Sequence, residues 1–87
     1  MSDFMIQSPH SKEECLHALD ETLAAGPEVL AKYEFGCTKG DHTGYAIVNV
    51  PDENTARGMV PKFLRSKAKV VQVTPFTPEA IRALHKE

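Results

Sequence analysis

Residues 34–50 read EFGCTKGDHTGYAIVNV, and in this segment two strand-like arms flank a turn. The second arm, residues 45–50, is rich in β-branched residues, which favour strands. The connection at residues 39–44 contains two glycines and an aspartate, and these residue types accept the backbone conformations of tight turns. The pattern predicts a β-hairpin near the middle of the chain.

A strand and a helix are predicted before the hairpin. The short apolar segment 4–7 is typical of a strand. Ser11 and Glu14 have the spacing of a capping box, in which each side chain binds an exposed backbone N–H of the other residue, so a helix is expected to begin there. The apolar stripe of this helix is predicted at Cys15, Leu16, Leu19 and Leu23.

A helix and a strand are predicted after the hairpin. Asp52 is the expected N-cap of the helix, and Pro61 predicts a kink or break within it. Residues 69–74 are typical of a strand. Thr77 and Pro78 then provide the cap and first residue of a short C-terminal helix.

The order of elements is therefore strand, helix, strand, strand, helix, strand. This is the split βαβ order of a ferredoxin-like α+β fold (βαββαβ). It predicts a four-stranded antiparallel sheet with two helices on one face and an added short C-terminal helix. The whole chain, residues 1–87, is expected to form a single domain.

Composition limits the classes of function. The chain has 87 residues, 41% of them hydrophobic, a net charge of -2 and two cysteines. A domain this small has a thin core, and two cysteines are too few for a disulfide scaffold. The charge balance argues against nucleic-acid binding, and no apolar segment approaches the roughly 20 residues of a membrane span. The N-terminus lacks the features of a signal peptide, so we expect a cytoplasmic protein with free thiols.

The predicted strands do not alternate cleanly between apolar and polar residues, so both faces of the sheet carry apolar side chains. The face toward the helices is predicted to contain Phe4, Ile6, Ala46, Val48, Val50, Val71 and Val73. The other face is predicted to contain Met5, Gln7, Tyr45, Ile47, Asn49, Val70, Gln72 and Thr74. An apolar patch on a domain with a thin core is typical of an interface. We therefore predict a homodimer in which two sheets pack face to face around a partly polar interior.

Three segments carry a resemblance to a known group of proteins. They are SPHSKEEC at residues 8–15, GCTKGDHTG at residues 36–44 and FTPEAI at residues 76–81. With the element order and length, they resemble the dimeric α+β barrel group of ferredoxin-like proteins, and they are similar to segments of small uncharacterised bacterial and archaeal proteins. The group includes small isomerases, cofactor-free monooxygenases, haem proteins and metal binders, so the resemblance implies a fold more than a function.

A candidate metal site follows from the topology. Strands one and two of this fold run parallel, so the end of the first strand, the start of the first helix and the hairpin turn lie at one end of the sheet. The chemistry-bearing residues there are His10, Cys37, Asp41 and His42. Imidazole, thiolate and carboxylate are ligands for zinc, nickel or copper. The alternative is an ordinary turn histidine, a small core cysteine and common turn residues.

A second candidate site lies on the predicted dimer face. Small-molecule binding is expected at Gln7, Tyr45, Asn49 and Gln72. Tyr45, His42 or His10 would move a proton if the site were catalytic. The alternative is that these polar groups only pair across the interface.

Two functions follow from the two sites. We predict a small cytoplasmic homodimer that binds a ligand or a transition metal, with no nucleic-acid or membrane partner. The alternative is a cofactor-free enzyme of the isomerase or monooxygenase type, acting on a small organic substrate in the dimer interior.

Overall fold

The computed structural model describes residues 1–85, which form four helices and one four-stranded antiparallel sheet. The strands are β1 (Ser2–Pro9), β2 (Tyr33–Phe35), β3 (Thr43–Val50) and β4 (Lys69–Val73). The helices are α1 (Cys15–Ala24), α2 (Pro27–Leu30), α3 (Glu53–Arg57) and α4 (Pro78–Leu84). Short 3-10 turns cover Cys37–Lys39 and Lys62–Leu64. The predicted α+β class with a four-stranded antiparallel sheet is confirmed.

The sheet order is β2-β3-β1-β4, so β1 and β3 form its centre and β2 and β4 its edges. Each neighbouring pair is antiparallel, and β1 and β2 therefore both run opposite to β3. The first and second strands thus point the same way, although β3 lies between them. This arrangement brings the end of β1 and the loop after β2 to one end of the sheet.

The predicted helix caps form as expected. The Ser11 N–H donates to Oε1 of Glu14 at 2.8 Å, and the Glu14 N–H donates to Oγ of Ser11 at 3.2 Å. Residues 12–14 form a turn, and regular α-helix begins at Cys15, three residues later than the start predicted from a cap at Ser11. Asp52 accepts from the Thr55 N–H at the start of α3. Local sequence therefore determines where these helices begin.

The predicted break near Pro61 is also present. Helix α3 ends at Arg57, and the chain continues to the 3-10 turn Lys62–Leu64. Proline has no N–H to donate and clashes with the preceding turn of a helix, so a single long helix does not form there.

The core lies between one face of the sheet and the helices. Phe4, Ile6, Ala46 and Val48 are buried on the sheet side, as predicted. The helical side of the same cluster contributes Ala18, Ala56, Val60 and Leu64. Full burial of a side chain such as Ile6 or Leu64 contributes about 1.5–3 kcal/mol to folding. Many of the buried helical residues are small, so the core is thin.

The predicted orientation of β4 was wrong. Val70 lies opposite Ile6 and Gln72 lies opposite Phe4, so both side chains are on the helix side of the sheet. Val71 lies opposite Met5 and therefore belongs to the other face, together with Val73. Because side chains alternate strictly along a strand, a shift of one residue in pairing exchanges the two faces.

The stripe predicted for α1 was wrong at two of its four residues. Leu16 is 70% exposed and Leu23 is 52% exposed, whereas Ala18 and Thr22 are buried. The hydroxyl of Thr22 donates to the Ala18 carbonyl at 2.8 Å, which satisfies it inside the core. Cys15 lies one helical turn before Ala18 on this inward face.

We call the face of the sheet away from the helices the open face. A row of apolar side chains crosses its middle. Ile47 pairs with Met5, and Met5 pairs with Val71 on its other side. Ile47 is 66% exposed. Within residues 1–85, no helix is long and apolar enough to span a membrane.

Candidate metal centre

Four side chains with metal-binding chemistry meet at the end of the sheet where β1 ends. They are His10, Cys15, Cys37 and His42, and one ligand atom from each lies within 4.8 Å of all the others. His10 is buried, and the remaining members are half-buried. We call this set the Cys2His2 cluster.

One half of the Cys2His2 cluster is positioned by the connection between β1 and α1. His10 directly follows β1, and its N–H donates to the carbonyl oxygen of His42 at 2.9 Å. Cys15 is the first residue of α1, and the capping box of Ser11 and Glu14 determines where that helix begins. A short turn therefore places an imidazole and a thiol at the same end of the sheet.

The other half is positioned by the turn between β2 and β3. Cys37 begins a 3-10 turn that ends at Gly40, whose φ of 87° lies in the left-handed region that favours glycine. At Gly36, an added Cβ would lie 2.7 Å from the Asp41 carbonyl oxygen, closer than side chains tolerate. These two glycines let the turn fold tightly enough to bring Cys37 and His42 together.

Contacts inside the cluster leave one polar atom without a partner. Sγ of Cys37 lies 3.3 Å from Nε2 of His10, and the rings of His10 and His42 have centroids 5.8 Å apart. Nδ1 of His42 is buried and has no hydrogen-bond partner among the described residues. A buried polar atom without a partner is unfavourable by about 1–3 kcal/mol. A metal ion accepting the imidazole lone pair would satisfy it.

The electrostatics of the cluster couple metal binding to the loss of a proton from Cys37. Burial raises the pKa of the Cys37 thiol, and the adjacent Cys15 thiol raises it further. Without a cation, the Cys37 thiol therefore keeps its proton to a higher pH than an ordinary thiol does. A bound metal reverses this preference because its positive charge stabilises the thiolates.

The separations are small enough for one ion to contact all four ligand atoms after a small adjustment. With metal–sulfur bonds of about 2.3 Å and metal–nitrogen bonds of about 2.0–2.1 Å, ligand atoms around zinc lie about 3.4–3.8 Å apart. The largest separation in the cluster is 4.8 Å, so the ligands need to approach by about 1 Å. The contact between Cys37 and His10, at 3.3 Å, is already slightly shorter than this range.

The predicted ligand set differs from the cluster in one member. His10, Cys37 and His42 come together as predicted, but Asp41 is exposed and its carboxylate has other partners. It accepts hydrogen bonds from Oγ1 of Thr43 at 2.8 Å and from the hydroxyl of Tyr45 at 2.5 Å. The bond from Tyr45 is the main reason that the pKa of Asp41 is lowered.

Cys15 is the candidate ligand that our sequence interpretation missed. Hydrophobic periodicity assigned it to the apolar stripe of α1, so it was not considered as a ligand. A signal was present: four residues separate His10 from Cys15, and four residues separate Cys37 from His42. The chain thus contains a His-x4-Cys pair and a mirrored Cys-x4-His pair.

Three of the predicted ligand-binding residues share the open face. Gln7 lies opposite Tyr45, and the amide of Asn49 donates to Oδ1 of Asp3 at 2.8 Å. Gln72 does not join them, because the pairing of β4 turns it to the helix side. A groove of about 430 Å³ lies on the open face, lined by Met5, Lys32, Glu34, Tyr45, Ala46 and Ile47.

Of the proposed proton-transfer residues, His10 and His42 belong to the Cys2His2 cluster, while Tyr45 lines the groove. The hydrogen bond to Asp41 raises the pKa of Tyr45. Its hydroxyl therefore keeps its proton at neutral pH and is a donor, not a base.

No family model matches this chain, and neither a curated protein nor a solved structure matches it.

Proposed function

We propose that this protein is a zinc-binding domain in which the Cys2His2 cluster holds one ion. The observation that carries the proposal is the convergence of four ligand atoms within 4.8 Å from two separate parts of the chain. Two sulfur and two nitrogen ligands are a set that suits zinc, which binds such ligands in tetrahedral geometry. Nickel favours square-planar sites, and copper(I) is the competitor that shares a preference for thiolates.

The proposed role of the ion is structural. Four protein ligands fill a tetrahedral site and leave no open position for water or substrate. The ion would join the end of β1, the start of α1 and the turn before β3. Metal binding of this kind contributes directly to folding free energy, and a domain with a thin core gains most from it.

The metal content of protein purified without a histidine tag tests this proposal. We expect zinc in a one-to-one ratio with the chain after reconstitution, and displacement of zinc by cobalt(II) should give the visible spectrum of tetrahedral thiolate ligation. A reconstituted wild-type protein without bound metal contradicts the proposal. Stoichiometric copper with no zinc contradicts the choice of metal.

Matched variants separate ligands from neighbours. Cys15→Ala removes a ligand. Changes to residues that only contact a ligand typically lower metal affinity by about 10- to 100-fold, so the affinity of Cys15→Ala for zinc should fall by more than that. Asp41→Asn changes a residue of the same turn that lies outside the cluster, so its zinc stoichiometry should match the wild type. Equal zinc loss in both variants contradicts the assigned ligand set.

We further propose a ferredoxin-like fold that forms a homodimer of the dimeric α+β barrel type through the open face. The element order and the central pairing of β1 with β3 support the fold assignment. The row of Ile47, Met5 and Val71 supports the dimer, since a second copy would remove these side chains from water. A cytoplasmic location fits the two free cysteines, because that compartment keeps thiols reduced.

A cofactor-free enzyme is the second candidate function, favoured by one observation. The groove on the open face combines apolar residues with Lys32, Glu34 and the hydroxyl of Tyr45. A screen of small organic acids and phenols by NMR tests it. Binding should shift the amide signals of Tyr45 and Ile47, and Tyr45→Phe should weaken it. Absence of shifts at both positions contradicts this function.

A further inference from the structure

We infer that Cys15 and Cys37 form a reversible disulfide when peroxide oxidises the site, and that this bond expels the metal. The inference rests on the proposed zinc site, because the same thiolates serve as ligands in one state and as a disulfide in the other. The Cys2His2 cluster would therefore bind zinc only while its cysteines are reduced.

The geometry places the two sulfurs close enough for this bond. They lie within 4.8 Å of each other, whereas a disulfide requires about 2 Å between sulfur atoms. The required approach is therefore less than about 3 Å. Each cysteine is the first residue of a helical turn, Cys15 in α1 and Cys37 in the 3-10 turn.

The chemistry balances with hydrogen peroxide as the oxidant. One thiolate attacks a peroxide oxygen, the O–O bond breaks, and sulfenic acid and hydroxide form, the latter taking a proton to become water. The second thiolate attacks the sulfenic sulfur, and the S–O bond breaks as the oxygen leaves, after protonation, as a second water. Two thiolates, one peroxide and two protons give one disulfide and two waters.

The loss of metal follows from the ligand count. The disulfide removes both thiolates, and His10 and His42 alone do not complete a tetrahedral site. The short distance between the cysteines also directs the reaction, since a nearby thiol captures sulfenic acid before it is oxidised irreversibly to sulfinic acid. A thiol reductant should then regenerate both ligands.

Tryptic digestion reports the bond directly. Cleavage after Lys12, Lys32 and Lys39 places Cys15 in peptide 13–32 and Cys37 in peptide 33–39. Wild-type protein loaded with zinc is treated with equimolar peroxide and digested without reductant, while a chromogenic chelator measures released zinc. We expect loss of the bound zinc together with a linked 13–32/33–39 peptide in monomer-mass chains. Reductant should restore zinc binding.

Two results would overturn the inference: zinc retained with both thiols intact, or zinc released with sulfinic acid and no linked peptide. Cys15→Ser must give no linked peptide, and Asp41→Asn should behave as the wild type. Zinc content before peroxide tests the proposed function by itself. The linked peptide is also scored in metal-free protein, so a failure of zinc binding and a failure of disulfide formation are distinguished.

Discussion

Nε2 of His10 lies 3.3 Å from Sγ of Cys37, although these residues follow strands that are not neighbours in the sheet. His10 follows β1 and Cys37 follows β2, and β3 lies between the two strands. A metal bound by both residues would therefore cross-link the chain over the start of β3. It would add a connection that the backbone hydrogen bonds of the sheet do not provide.

Removal of zinc should lower the melting temperature. At free zinc of about 100 times Kd, binding contributes about 2.7 kcal/mol to the free energy of unfolding. In a domain of this size, 1 kcal/mol shifts Tm by about 4–8 °C, so chelation should lower Tm by about 10–20 °C. Calorimetry with and without chelator measures the change. The Tm of His42→Ala should change much less when chelator is added. A wild-type Tm that chelator leaves unchanged would contradict the cross-link.

Replacement of Tyr45 by phenylalanine should raise the pKa of Asp41. The Tyr45 hydroxyl donates to Oδ2 of Asp41, and this bond is the main cause of the lowered pKa. The hydrogen bond to the ionised Asp41 carboxylate stabilises the fold above the unfolded-state pKa of Asp41. This contribution to the free energy of unfolding disappears as pH falls through the folded-state pKa. Carboxyl NMR titration of wild type and Tyr45→Phe measures the pKa of Asp41 in each protein. Identical titration curves for Asp41 would rule the interpretation out.

Alkaline pH should destabilise the protein through Tyr33. Burial raises its pKa to about 12, and its hydroxyl donates to the Met59 carbonyl at 3.1 Å. The neutral form of Tyr33 is favoured in the folded protein. Its contribution to the free energy of unfolding is therefore complete below the unfolded-state pKa of about 10 and is lost as pH rises toward the folded-state pKa.

Tyr33→Phe should lower the free energy of unfolding at neutral pH by about 1 kcal/mol, the usual net value of one hydrogen bond. It should also reduce the loss of stability between pH values of about 10 and about 12. Urea unfolding across this range provides the measurement. An equally steep alkaline loss in the variant would show that another group is responsible.

A charge on the open face should prevent dimerisation. Ile47→Glu would place a carboxylate in the middle of the proposed interface, where it would be buried without a partner. We expect this variant to sediment as a 9.6 kDa monomer while the wild type sediments at twice that mass. Leu16→Glu on α1 is the control, since Leu16 is exposed on the other side of the sheet. A wild-type monomer at micromolar concentration would contradict the dimer.

Most of the features that sequence patterns predicted correctly are local ones. The capping box of Ser11 and Glu14 and the cap at Asp52 depend on residues within one helical turn, and both form. The break near Pro61 has the same origin, because a single residue lacks the N–H that a helix requires. The convergence of His10, Cys37 and His42 followed from the topology of the sheet.

The features that were missed depend on packing between elements. Val70 and Val71 are equally apolar, so only the pairing of β4 with β1 decides which one enters the core. On α1, the buried residues Ala18 and Thr22 are less hydrophobic than the exposed Leu16. Hydrophobicity therefore misplaced Leu16 and Leu23, whereas Cys15 does lie on the inward face and was interpreted as a core residue and not as a ligand.

Because of the mirrored spacing of the candidate ligands, some segments of the chain can change in length without disturbing the cluster and others cannot. Residues 11–14 contain the capping box, and residues 38–41 contain most of the 3-10 turn and Gly40, so an inserted residue in either spacer would turn a ligand away from the ion. A bound metal would impose no such limit between Ala24 and Tyr33, where α1 is joined to β2 through α2. Insertions and deletions in homologous or engineered chains should therefore be accommodated in that connection and avoided in the two spacers.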